Sequence, residues 1–311
     1  MATDIAFSLA VLAFLKDKVP RGLRIFLTAF AIADDLGAVI VIALFYTKTI
    51  VWQNLIFSTL FLVSLGVVNK LWIRKTLVYI VLGIGMWFSI LGSGMHATIS
   101  GVIVALFIPA RGKYDTETFT SKVKEYLNWI VCENDCGHSI LMNQRHLDAV
   151  QAIDIACSNV ETPLQTLEHH LQSWVAYLVL PLFALANSGL ALRELDMSAA
   201  IRHPVTLGVI FGLVFGKPLG ILSFTYLGSK LLQAPLTRGI KWSHIIGVSL
   251  LGGIGFTMSL FISGLSFIST QALDFSKLGI ITGSVISGFA GWIVLGFIGR
   301  SEQTPAYEQT N

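Results

Sequence analysis

Ala31-Ile32-Ala33-Asp34-Asp35-Leu36-Gly37 sets two adjacent carboxylates in the middle of an apolar run from about Leu23 to Thr47. A helix of that length crosses a bilayer and puts the pair near its midplane, where one aspartate costs roughly 3 kcal/mol. Two in succession need a partner charge, a water-filled cavity or a bound cation, so they read as an ion or proton pathway. The competing reading, packing hydrogen bonds of the kind Asn or Ser supplies, leaves that cost unexplained. Neighbours on a helix point about 100° apart, so one carboxylate can face water while the other faces a buried partner.

The rest of the chain agrees with a membrane setting. Of 311 residues, 54% are hydrophobic and only 13% charged, about half the charged share of a soluble globule, and the mean hydropathy is +0.73. The fold class predicted is an all-α polytopic membrane protein. Apolar segments fall at 5–15, 23–47, 51–69, 76–92, 95–109, 170–192, 204–228, 243–268 and 277–299, the first too short to cross as a helix. Met1-Ala2-Thr3-Asp4 lacks the basic start of a cleavable signal peptide. The division expected is membrane helices over 1–110, a cytoplasmic loop over 111–165, membrane helices over 166–300 and a cytoplasmic tail over 301–311.

Charge asymmetry orients these spans. If the connection carrying Lys16, Lys18, Arg21 and Arg24 is cytoplasmic, sixteen Lys and Arg fall inside and four, Lys48, Arg193, Arg202 and Lys277, fall outside. Leaving out the five in the long 111–165 loop keeps eleven against four, which places the C-terminus in the cytoplasm. The residue left over is Lys217, in Phe215-Gly216-Lys217-Pro218-Leu219-Gly220, too deep to snorkel and in need of an anion. Asp34 and Asp35 are the candidates. Pro218 predicts a kink beside the charge.

Leu250-Leu251-Gly252-Gly253-Ile254-Gly255-Phe256-Thr257-Met258-Ser259 crowds glycine into the centre of another span. Close helix packing is one reading; the other is a discontinuous helix whose exposed backbone lines a cavity. Thr3-Asp4, followed by Ile5-Ala6-Phe7-Ser8-Leu9, faintly echoes Thr257-Met258-Ser259-Leu260-Phe261. Paired interruptions in corresponding halves point to inverted repeats with a midplane site, where Asp4 would offset the positive ends of the broken helices.

The 111–165 loop holds two weakly periodic pieces, around 118–131 and 141–156, that suit short amphipathic helices on the membrane surface. Its Cys132, Cys136 and His138 lack the spacing of a structural zinc site, and no catalytic grouping stands out. Thr162-Pro163-Leu164-Gln165 has the pattern of a helix cap, a first-turn proline and a capping-box partner. Glu168, His169 and His170 ride on the first turns of that helix, where a carboxylate beside two histidines suits a sensor of cytoplasmic pH or is simply a solvated helix start.

These residues carry a resemblance to the NhaA-type sodium/proton antiporters. The matching stretches are Met1-Ala2-Thr3-Asp4-Ile5-Ala6-Phe7, Ala33-Asp34-Asp35-Leu36-Gly37-Ala38, Ser93-Gly94-Met95-His96-Ala97-Thr98, Pro181-Leu182-Phe183-Ala184-Leu185-Ala186-Asn187, Gly216-Lys217-Pro218-Leu219-Gly220 and Gly252-Gly253-Ile254-Gly255-Phe256-Thr257-Met258-Ser259. They span nearly the whole chain in the family's order. The resemblance implies two crossed broken helices and an Asp pair that binds sodium or protons. It implies Asp35 as principal sodium ligand and proton carrier, Asp34 paired to Lys217, and Thr3 and Asp4 in the unwound stretch of the family's fourth helix. Gly253, Gly255 and Thr257 then belong to the second broken helix, and Glu168 and His169 to a cytoplasmic pH-sensing region. By this resemblance the chain begins inside the fourth helix, and its 111–165 loop is longer than in the shorter members.

The function expected is therefore exchange of Na+ or Li+ for H+ across the inner membrane, without cofactor, enzymatic activity or nucleic acid partner. The bilayer is the setting, and a homodimer the candidate assembly. Burial favours the neutral acid of Asp35 while a cation favours the ionised form, so proton loss and sodium binding are linked. Two rivals are a non-transporting, N-terminally truncated fragment and an intramembrane aspartyl protease. The second needs two carboxylates sharing one proton, which adjacent positions on one helix serve badly.

Overall fold

The computed structural model describes residues 2–15, 19–47, 50–112, 114–130, 144–189, 197–233, 236, 239–267 and 269–303. Every regular element among them is helical. In order these are α1 (Ile5–Phe14), α2 (Arg21–Phe45), α3 (Trp52–Lys70), α4 (Thr76–Gly92), α5 (Thr98–Phe107), α6 (Thr116–Ile130), α7 (Gln144–Val160) and α8 (Pro163–Trp174). After a π-helical turn at Val175–Val179 follow α9 (Leu180–Asn187), α10 (Met197–Arg202) and α11 (Pro204–Phe211). A second π turn at Gly212–Gly216 leads into α12 (Lys217–Leu231), then α13 (Trp242–Gly252), α14 (Phe256–Ser266) and α15 (Thr270–Gln303).

The spans 21–45, 52–70, 204–231 and 270–298 are long and apolar enough to cross a membrane singly, and α13 with α14 forms a pair bent by 46°. α1, α4 and α5 are shorter apolar helices. Phe14, Leu44, Phe224 and Phe297 point outward, each more than two-thirds exposed, as suits a surface bathed by lipid. The chain is an all-helical polytopic membrane protein.

By packing, the chain divides into two compact units, Met1–Tyr46 with Ala176–Asn311, and Thr47–Val175. In the first, Leu12, Leu23, Leu27, Val248, Leu251 and Leu295 draw α1, α2, α13 and α15 around one core. Lipid is as apolar as leucine, so such helices are held by close packing rather than by escape from water. α15 supplies that closeness: a Cβ at Gly291 would lie 2.6 Å from Leu251 Cδ2, and one at Gly279 would lie 2.8 Å from the Thr206 carbonyl. On α2 the buried stripe Leu23, Leu27, Ala31 turns inward, and Asp34 and Asp35 follow Ala31 by three and four residues, continuing it.

The second unit packs α3, α4, α5 and α8 around Leu65, Tyr79, Met86, Ile90 and Ile108. The two amphipathic pieces of the long loop are helical over 116–130 and 144–160, and they pack on each other. Their join to the membrane helices is tight, because a Cβ at Gly112 would sit 2.2 Å from the Val160 carbonyl. Cys132, Cys136 and His138 lie outside the described residues.

Candidate functional site

α2 and α12 bring two half-buried charges of opposite sign together. Lys217 Nζ is 2.9 Å from Asp34 Oδ2. The same oxygen accepts the Thr3 N–H at 2.8 Å and lies 2.9 Å from the Thr3 hydroxyl, which is also 3.0 Å from the Gly252 carbonyl. With one proton to donate, that hydroxyl can serve one of these acceptors at a time. Asp34 is thus an anion fixed by a cation and by an N–H at the start of α1. Asp35 is engaged differently: its Oδ1 is buried and has no hydrogen-bond partner among the described residues. The two carboxylates do not form a proton-sharing dyad, since Asp34 faces Lys217 and Thr3 instead of its neighbour.

The kink expected at Pro218 takes the form of a π turn placed just ahead of it. The Lys217 N–H donates to the Gly212 carbonyl, five residues back, which accommodates the donor that Pro218 lacks and widens the helix where Lys217 leaves it. Sequence reasoning located the disturbance but not its shape.

The second half of the site is the gap at Gly253–Gly255, whose backbone groups are satisfied one by one. Carbonyls at and just beyond the end of α13 accept from two other helices: Leu250 from the Ser287 hydroxyl of α15 at 2.7 Å, Leu251 from the Ser8 hydroxyl of α1 at 3.1 Å, and Ile254 from the N–H of Asp4, the cap of α1, at 2.7 Å. On the other side the Gly255 N–H donates to Ser284 Oγ at 3.2 Å and the Thr257 N–H to Asp4 Oδ2 at 3.0 Å. Gly253 has no room for a Cβ, which would lie 2.4 Å from the Leu213 carbonyl and 2.1 Å from Ser287 Oγ, and a Cβ on Gly255 would lie 2.1 Å from Ser259 Oγ, which would have to turn away.

Asp4 caps two helices. Its Oδ1 accepts the Phe7 N–H of α1 at 3.1 Å, while Oδ2 accepts the Thr257 N–H of α14 and the Thr257 hydroxyl. Two helix N-termini of about half a positive charge each face one carboxylate, which offsets part of the cost of burying a residue only 2% exposed. Thr3, Asp4, Asp34, Lys217, Gly253, Gly255 and Thr257 therefore meet in one place, with Asp35 beside Asp34. The serines 8, 284 and 287 complete it and were not singled out from sequence.

Glu168 and His169 belong to the other unit. Thr162 Oγ1 accepts the Gln165 N–H at 3.1 Å and Pro163 opens the helix, so α8 begins as its sequence indicates. Both residues are exposed, and Glu168 lines an apolar cavity of about 670 Å³ with Tyr79, Trp87 and Leu167.

Residues 1–295 match the family described as Na+/H+ antiporter 1. A protein of Syntrophotalea carbinolica named Na+/H+ antiporter NhaA 2 is 43% identical over 297 residues, which is 95% of this chain and 67% of its own length. One of Saccharophagus degradans named Na+/H+ antiporter NhaA 1 is 44% identical, covering 96% and 65%. One of Bacteroides fragilis named Na+/H+ antiporter NhaA is 41% identical, covering 96% and 68%. The chain spans about two thirds of the length of these relatives.

Proposed function

Because the chain belongs to the Na+/H+ antiporter 1 family, we propose that it exchanges Na+ or Li+ for H+ across the bacterial inner membrane, with Asp35 as the shared binding group. The observation that carries this is the asymmetry of the pair. Asp34 is held by Lys217 and Thr3, whereas Asp35 keeps a buried oxygen with no hydrogen-bond partner among the described residues. Such an oxygen is occupied by a proton or by a cation, and the two exclude each other. Among the described residues no three His, Cys, Asp or Glu side chains cluster to hold a resident metal. Sodium, as cargo, is a hard cation and takes oxygen ligands, which here are the Asp35 carboxylate and the hydroxyl and carbonyl oxygens around Thr3 and Gly252.

Each cycle then follows from competition. A proton leaving Asp35 makes room for sodium on one side; on the other, sodium leaves as a proton returns. The bent pair α13/α14, with its gap satisfied by side chains of α1 and its cap and of α15, gives the midplane an irregular backbone that lines a site without facing lipid. The Lys and Arg asymmetry puts the C-terminus in the cytoplasm, and with it Glu168 and His169, as a region that responds to cytoplasmic pH.

The test is sodium-driven proton movement in liposomes, read with a pH-sensitive dye. Flux is expected from the unsubstituted chain, none from Asp35→Asn, and reduced flux from Asp34→Asn. Undiminished exchange in Asp35→Asn would remove the site assignment.

A further inference from the structure

The gap between α13 and α14 is held from one side by α15, a helix to which the exchange reading gives no task. Ser284 and Ser287 stand one turn apart on it and take opposite sides of the gap. Ser284 Oγ accepts the Gly255 N–H on the α14 side, and the Ser287 hydroxyl donates to the Leu250 carbonyl on the α13 side. Some hydroxyls in the apolar helices turn back on their own helix, as Ser64 does to Leu60, while others, such as Ser8 to Leu251 and Thr206 to Phe275, tie one helix to another. This pair reaches across to a neighbour.

A third contact comes from the π turn. The Lys217 N–H bonds to Gly212, and Pro218 has no N–H, so the Leu213 carbonyl lacks both the donor four residues on that an α-helix would offer and the donor five residues on that a continued π turn would offer. A Cβ built on Gly253 would lie 2.4 Å from that carbonyl and 2.1 Å from Ser287 Oγ. Gly253 is gripped between the Lys217-bearing helix and α15.

We propose that Ser284 and Ser287 are positioning residues for exchange. With the Leu213 carbonyl they brace the gap, so that the Gly252 carbonyl and the Thr3 hydroxyl keep their places beside Asp34. The brace stands on geometry alone; its consequence for transport rests on the exchange reading. The two serines are not equivalent. Without its hydroxyl, Ser284 leaves the Gly255 N–H buried and unpaired, whereas the Leu250 carbonyl keeps the Gly253 N–H at 2.9 Å when Ser287 loses its own. Threonine at 284 retains an acceptor, and its methyl has room in the apolar groove of about 580 Å³ that Ser284 lines with Ile254, Val285 and Gly288.

The test combines hydrogen–deuterium exchange of the full chain in detergent, followed in peptides spanning residues 251–259, with sodium-driven flux from the same preparations. Ser284→Ala is expected to exchange about tenfold faster there, the factor for one lost buried hydrogen bond. It should raise the apparent KM for sodium severalfold with a smaller change in maximum rate. Ser284→Thr should restore both, and Ser287→Ala should move both in the same direction by less. Unaltered amide protection in both alanine variants overturns the brace. Faster amide exchange with an unchanged KM overturns the positioning role and leaves only helix packing. If the unsubstituted chain shows no flux, the exchange reading fails, and amide protection still decides the brace.

Discussion

Alanine at position 4 would remove one carboxylate from two helix starts at once. Asp4 accepts the Phe7 N–H, the Thr257 N–H and the Thr257 hydroxyl. Losing an N-cap costs about 1 kcal/mol per helix, and each buried donor left unsatisfied costs about 1–3 kcal/mol. These terms overlap, since the Thr257 N–H counts in both, and relief from burying a charge works the other way. The net expectation is a loss of about 3–5 kcal/mol, a large part of the roughly 5–15 kcal/mol that holds a folded chain together. For a chain of this size that lowers the melting temperature by roughly 5–8 °C. Asp4→Asn should lose about half as much, because its one oxygen can cap α1 or α14 but its amide meets the other donors with N–H groups. Thermal unfolding in detergent, followed by tryptophan fluorescence, is the assay. Asp4→Ala melting within about 2 °C of the unsubstituted chain would show that the double cap contributes nothing.

Lys217→Ala leaves the Asp34 carboxylate with only the Thr3 donors. Breaking a dry pair costs about 3–5 kcal/mol, but the Asp34 side chain is 23% exposed, so a loss of about 2–3 kcal/mol is expected, and an unchanged melting curve would contradict the pair. Gly253→Ala forces a methyl against Ser287 Oγ and the Leu213 carbonyl, and a loss of about 1–3 kcal/mol or more should accompany reduced flux; normal stability and flux would show that the grip is loose. Glu168→Gln with His169→Ala is expected to displace the pH profile of exchange while sparing its maximum rate. A profile that does not move returns both residues to a solvated helix start.

Much of the site was legible because charge is so costly in a bilayer. Asp34, Asp35 and Lys217 announce themselves against an apolar background, and the need of one for another follows from electrostatics before any coordinates. The glycine run at 252–255 announced a break, although glycine in membrane helices also serves packing; the structure shows both, with the gap at 253–255 and close contacts at Gly279 and Gly291. Asp4 was legible through a faint likeness between the two interrupted segments. Ser8, Ser284 and Ser287 were not, since a serine in an apolar helix ordinarily bonds to its own backbone and nothing in the sequence says which one will reach across. Pro218 betrayed a disturbance, but whether a helix kinks or widens into a π turn depends on its neighbours. The 95–109 segment forms a helix only over 98–107, the piece near 118–131 begins at 116 and the piece near 141–156 runs on to 160, because helix ends follow capping contacts more than hydropathy.

Proton release on sodium binding tests most directly whether one carboxylate serves both ions. Titrating sodium into the purified chain by calorimetry, in buffers of differing ionisation enthalpy, counts the protons set free per ion bound. Competition at Asp35 requires that binding release protons wherever the site is protonated, that release fade as pH rises, and that Asp35→Asn abolish both binding and release. Sodium binding that releases no proton at any pH, or release that persists in Asp35→Asn, would contradict it.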